Sequence, residues 1–121
     1  MKPEELRIGN WVEIEGRGIR KISGVKKDHV YTRIPNCERA ELMSHIIMVK
    51  PIPLTPEWSE KFGYHEGRND LFDFQVDMHI DIYEGVCYLI CNGNVIKVIE
   101  EVHTLQNIVY ALTGTYVLKS P

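Results

Sequence analysis

Residues 72–83 alternate apolar and polar side chains without interruption. Phe72, Phe74, Val76, Met78, Ile80 and Ile82 fall on one side; Asp73, Gln75, Asp77, His79, Asp81 and Tyr83 fall on the other. A period of two over this length dictates a β-strand with one buried and one wet face. Glu84-Gly85 then turns the chain into a strand over 86–91, and Asn92-Gly93-Asn94 turns it again into 95–99. Asn-Gly between apolar runs is a strong hairpin signal. The segment is therefore expected to form an antiparallel three-stranded meander.

Residues 102–114 read as a helix that follows it. On a wheel of about 100° per residue, Val102, Leu105, Ile108, Val109 and Leu112 make an apolar arc. His103, Gln106, Asn107 and Tyr110 make a contiguous second arc that apolar burial does not explain. An imidazole, two amides and a phenol can read a polar planar group, so these four residues, with Trp11, are candidate ligand contacts. They can equally be groups that hydrogen-bond the rest of the fold.

The front of the chain has another character. Short strands are expected over 11–14, 19–23, 29–34 and 46–49, broken by Glu15-Gly16-Arg17-Gly18, by Gly24, by Lys26-Lys27-Asp28 and by Pro35-Asn36. Turns this frequent suggest a small SH3-like β-barrel or a meander. Pro51 and Pro53 mark a junction. Beyond it, Thr55 can cap a short helix, Pro56 suits its first position, Trp58 and Phe62 share a face, and Gly63 stops it. The expected class is α+β: a β unit over 1–50, then helix, meander and helix over 51–121, the two packed as one compact domain. A short edge strand over 116–118 would complete it.

Charge divides at the same junction. Residues 1–50 hold ten Lys/Arg and seven Asp/Glu, a balance of +3, whereas residues 51–121 hold four and ten, a balance of −6. This argues against a protein that wraps nucleic acid over its whole surface. A local site survives that argument: Arg17, Arg20, Lys21, Lys26 and Lys27 crowd two turns near Trp11 and Tyr31, and they could grip nucleic acid or a phosphorylated small molecule.

A third constellation is Asp77, His79 and Asp81, spaced to share one strand face. It could orient an imidazole for acid–base work, although an ordinary wet face explains it as well. No P-loop, dinucleotide fingerprint, nucleophile elbow or zinc-protease motif is present, so no catalytic residue, metal ligand or cofactor is expected. Cys87 and Cys91 would share a strand side about 13 Å apart, too far for a disulfide or one zinc ion. With Cys37 standing alone, all three are expected as reduced thiols. No apolar run is long enough to span a membrane and the first residues carry no signal-peptide pattern, so a cytoplasmic protein is expected.

Three stretches carry a resemblance: Leu6-Arg7-Ile8-Gly9-Asn10-Trp11-Val12; Pro51-Ile52-Pro53-Leu54-Thr55-Pro56-Glu57-Trp58 with Phe62-Gly63-Tyr64; and Val102-His103-Thr104-Leu105-Gln106-Asn107 running to Ala111-Leu112-Thr113-Gly114. In this order the chain resembles a group of small proteins encoded by phages, prophages and other mobile elements of Bacteroidetes. The resemblance covers nearly the whole chain around a variable middle. It departs at Thr104, where a longer polar residue is common, and at Ile108-Val109, where a Leu-aromatic pair is common. The group has no assigned activity, so it carries over no catalytic residues. It implies a non-catalytic accessory binding protein acting in the bacterial host, as an antagonist of host defence, with a host protein or a small ligand such as a signalling nucleotide as partner. Unpaired strand edges make a homodimer reasonable. A nucleic-acid-binding regulator is the alternative, and a small enzyme using Asp77, His79 and Asp81 the third.

Overall fold

The computed structural model describes residues 1–34, 37–71 and 77–114; for 37–39 it describes the backbone. The chain is α+β, with two antiparallel sheets and one main helix. It divides into two compact units, Met1–Ile52 and Pro53–Pro121.

The first unit is a five-stranded sheet built from β1 (Trp11–Ile14), β2 (Gly18–Val25), β3 (His29–Ile34), β4 (Cys37–His45) and β5 (Val49–Lys50). Its strand order is β4-β3-β2-β1-β5. β4 and β5 stand at the two ends, so the sheet is open and the described residues form no closed barrel. It is nevertheless curled. Arg17, in the turn between β1 and β2, donates from Nη1 to the Met43 carbonyl and the Ser44 hydroxyl of β4, each at 3.4 Å. Leu6, Val12, Ile14, Ile22, Val30 and Val49 form the core, with Met1, Val25, Ile46 and Met48 packed against it.

Three expectations for this unit are corrected. The strand expected over 19–23 runs through Gly24 to Val25, because the register with β3 slips between Ile22 and Gly24 and a bulge absorbs the irregularity. The segment 46–49 is not one strand: Ile46–Met48 is a 3-10 turn, capped by His45, whose Nδ1 accepts from the Ile47 amide at 3.2 Å, and only Val49–Lys50 is extended. The fourth long strand is instead β4, held to β3 by pairs running from His29↔His45 to Arg33↔Glu41. Its Ala40, Glu41, Leu42 and Met43 are poor strand formers by composition. Pairing, not propensity, makes the strand.

The second unit opens with α1 (Pro56–Lys61), where the Thr55 hydroxyl accepts from the Trp58 amide at 3.4 Å. Then come β6 (Gly67–Asp70), β7 (Met78–Tyr83), β8 (Val86–Cys91), β9 (Asn94–Ile99) and α2 (Val102–Thr113). The sheet order is β6-β7-β8-β9, so the expected three-stranded meander gains β6 as an outer strand. Both hairpins turn through left-handed pairs, Glu84 and Gly85 at φ 51° and 78° and Asn92 and Gly93 at φ 51° and 78°, as two-residue hairpin turns require. Gly114 closes α2 at φ 75° and donates to the Tyr110 carbonyl. Residues 72–76, the start of the alternating segment, and the edge strand expected over 116–118 lie outside the described residues. No helix is long and apolar enough to cross a membrane among the described residues.

Candidate nucleic-acid interface on the N-terminal sheet

The four polar residues of α2 do not share one environment. His103 and Gln106 are buried at 2% and 1% exposure, Asn107 is half-buried, and Tyr110 is 48% exposed. Val102, Leu105 and Val109 are buried beside the first two, while Ile108 and Leu112 of the apolar arc are only half-buried. Burial therefore fades along the helix axis as well as around it. Tyr110 shares the angular sector of His103 and Gln106 but lies one to two turns nearer the exposed end. A solvent-borne ligand can reach Tyr110 and the edge of Asn107. Trp11, the fifth candidate, is half-buried in β1.

Asp77 and His79 belong to a cluster built around Arg68, and Asp81 lies opposite that arginine in the register. Asp77 Oδ1 lies 3.4 Å from His79 Nδ1 and accepts from Arg68 Nη2 at 3.1 Å. Arg68 Nε donates to Asp70 at 2.7 Å. Asp70, in turn, is the register partner of His79, and Asp81 of Arg68. The carboxylate of Asp70 beside it raises the pKa of Arg68 further above its usual range. His79 shares a strand face with Asp77 and Asp81 but is covered there, at 6% exposure, so that face is not wet at this position. The arrangement sets a carboxylate near a buried imidazole whose Nδ1 makes no hydrogen bond with the described residues. Arg68, which organises the cluster, lies in β6, whose Gly67-Arg68-Asn69-Asp70 sequence carries no strand signal.

The five basic candidates separate as well. Trp11 pairs with Lys21 and Val12 with Arg20, so these two basic residues point to opposite faces of the sheet. Arg20 shares the side of Val12 and Ile22. Lys21, Lys26 and Lys27 are exposed and make no ion pair with described residues, and Arg17 is held by β4.

What the register assembles instead is a face centred on β3 and β4. Val30 and Thr32 point inward, both at 0% exposure, so His29, Tyr31 and Arg33 point outward. Their partners on β4 are His45, Met43 and Glu41. Tyr31 is opposite Gly24, the residue after the bulge, and a Cβ there would stand 3.4 Å from Tyr31 Cδ2. The ring thus packs beside a position without a side chain. Lys26 Nζ sits 5.8 Å from the ring centroid, within cation–π range. The His29 and His45 rings meet edge to face at 5.2 Å. Met43 is exposed beside Tyr31, and Glu41 accepts from the Ser23 hydroxyl at 2.6 Å. The result is a face that carries the Tyr31 ring with the Lys26 ammonium beside it, the His29–His45 pair, Met43, and Arg33 opposite the Glu41 carboxylate. Sequence reasoning placed Tyr31 near the basic turns but missed His29, His45, Arg33 and Met43, because nothing in the sequence fixes the β3–β4 register.

No protein-family model, no curated protein and no solved structure matches the chain.

Proposed function

We propose that this chain is a non-catalytic accessory binding protein that takes a single-stranded nucleic acid on the outward face of its N-terminal sheet. The observation that carries the reading is Tyr31, packed beside Gly24 with Lys26 at 5.8 Å. Single strands are bound by aromatic rings on which bases stack, set in a cationic surround that tracks the phosphates. Lys21, Lys27 and Arg33 extend that surround. In the same reading the first unit is an SH3-like barrel left open, supported by the order β4-β3-β2-β1-β5 and by the 3-10 turn just before the last strand. The resemblance to mobile-element proteins supports a place in a phage or related element, working in the bacterial cytoplasm against host defence.

The test is fluorescence anisotropy on labelled single-stranded DNA and RNA oligonucleotides over a salt series. Tyr31→Ala should weaken binding by about 1–3 kcal/mol, with an unchanged circular dichroism spectrum. Changing Lys26 and Lys27 to Gln should flatten the salt dependence, by roughly 0.7 in log–log slope for each phosphate no longer neutralised. Undetectable or salt-insensitive binding contradicts the proposal. A second reading rests on Tyr110 and Asn107, one turn apart at the exposed end of α2: this pair would hold a small planar ligand or a host protein. Binding abolished in Tyr110→Ala and kept in Tyr31→Ala would favour it.

A further inference from the structure

The inward side of the N-terminal sheet holds two polar groups that the outward face does not explain. Arg20 lies opposite Val12, and Thr32 lies opposite Ile22. Arg20 and Thr32 thus lie on the same, core side of β2 and β3, Arg20 two residues before the Ile22–Thr32 pair. Thr32 is fully buried. The Arg20 Nε and Thr32 Oγ1 atoms are both buried without a hydrogen-bond partner. A buried donor left unmade costs about 1–3 kcal/mol, more for a charged group, and native folds leave few such groups. No carboxylate among the described residues pairs with Arg20. Its neighbours along the same side of the strand are Ile22 and Gly18, and a Cβ at Gly18 would meet nothing within 4 Å. Pairing to β3 begins at Ile22, and the half of β2 that carries Arg20 pairs with β1.

We propose that Arg20 and Thr32 form a small oxyanion site that takes a phosphate group. The free Nε–H is the inner tooth of the guanidinium fork, which binds two oxygens of a phosphate side by side. The Thr32 hydroxyl donates to a third. Gly18 leaves the approach to the guanidinium open. The site faces away from Tyr31 and does not depend on the nucleic-acid reading.

The experiment is isothermal titration of the full chain with inorganic phosphate, and in a second arm with adenosine monophosphate, at ionic strength fixed with potassium chloride. Saturable one-to-one binding is expected. Arg20→Met should weaken it at least about tenfold, the value of one charged hydrogen bond. Arg20→Lys, which keeps the charge and the stem but not the fork, should also weaken it. Thr32→Val is nearly isosteric and removes an unmade donor, so it should fold at least as stably as the parent yet bind phosphate more weakly. Binding of phosphate alone identifies a free anion as the ligand, and tighter binding of the nucleotide identifies a nucleotide phosphate. The proposal is overturned if neither binds above chloride. It is equally overturned if Thr32→Val or Arg20→Lys binds phosphate as the parent does.

Discussion

The two sheets of this protein solve the same problem with opposite surfaces. The N-terminal sheet buries a small aliphatic core and turns polar and aromatic residues outward: His29, Tyr31, Arg33, Met43 and His45. The C-terminal sheet buries Ile80, Ile82, Cys87 and Leu89, yet its outer strand β9 leaves Val95, Ile96 and Val98 exposed. That edge is not bare. The register slips between Leu89 and Ile90, and Lys97 interrupts the apolar run, two devices that blunt a strand edge against further pairing. The difference teaches where to look for binding. Apolar exposure on β9 comes with edge protection, whereas the outward face of β3 and β4 combines the Tyr31 ring with the Lys26 ammonium beside it.

The comparison breaks first in the interiors. Ile22→Ala in the first sheet and Ile80→Ala in the second should each destabilise by about 2–5 kcal/mol in urea unfolding, since both side chains are fully buried. A much smaller loss at Ile22 would mean that the first sheet lacks an interior of comparable quality. A middle-sized effect separates two glycines. Gly93 sits at φ 78° with open space around it, so Gly93→Ala should cost about 1–2 kcal/mol of backbone strain alone. At Gly24 the left-handed region is not used, and a Cβ would meet the Tyr31 ring at 3.4 Å, an ordinary van der Waals contact. Gly24→Ala should therefore cost less stability than Gly93→Ala and leave oligonucleotide binding close to that of the parent.

The smallest expected effect is alkaline. Burial pushes the Cys87 thiol up from 9.0 to about 11. Burial, helped by the nearby Cys87, pushes the Tyr64 phenol up from 10.0 to about 12. Both groups fold in their neutral forms, and the unfolded chain ionises first. Their contribution is complete below pH 9 and is lost as pH rises through about 9 to 12. Urea midpoints at about pH 8 and about pH 10.5 should show a decline that Cys87→Ala reduces. An undiminished decline in that variant would show that other groups govern alkaline sensitivity.

Much of the second unit was legible because each signal is local. Asn92-Gly93 makes its own turn, Thr55-Pro56-Glu57 starts its own helix, and Gly114 ends one. The first unit was legible only where turns interrupt short β-branched runs. β4 was hidden because its helix-forming residues are strand only by virtue of β3. β6 was hidden because Gly67, Asn69 and Asp70 are favoured in turns, and only pairing with β7 makes them a strand. The α2 candidate set was half legible. Periodicity gave the angle of His103, Gln106 and Tyr110 about the axis but not the depth to which each is buried. The edge-to-face pair of His29 and His45 and the Tyr31 face depend on the register between distant strands, which no sequence spacing encodes.

The measurement that tests the central claim most directly is a residue-by-residue map of amide shifts by nuclear magnetic resonance as a single-stranded oligonucleotide is added. The account predicts perturbations on β3, on β4 and in the turn holding Lys26 and Lys27, with Tyr31 and Met43 among the largest. Shifts confined to the Tyr110 end of α2, or none at all at low salt, would contradict it.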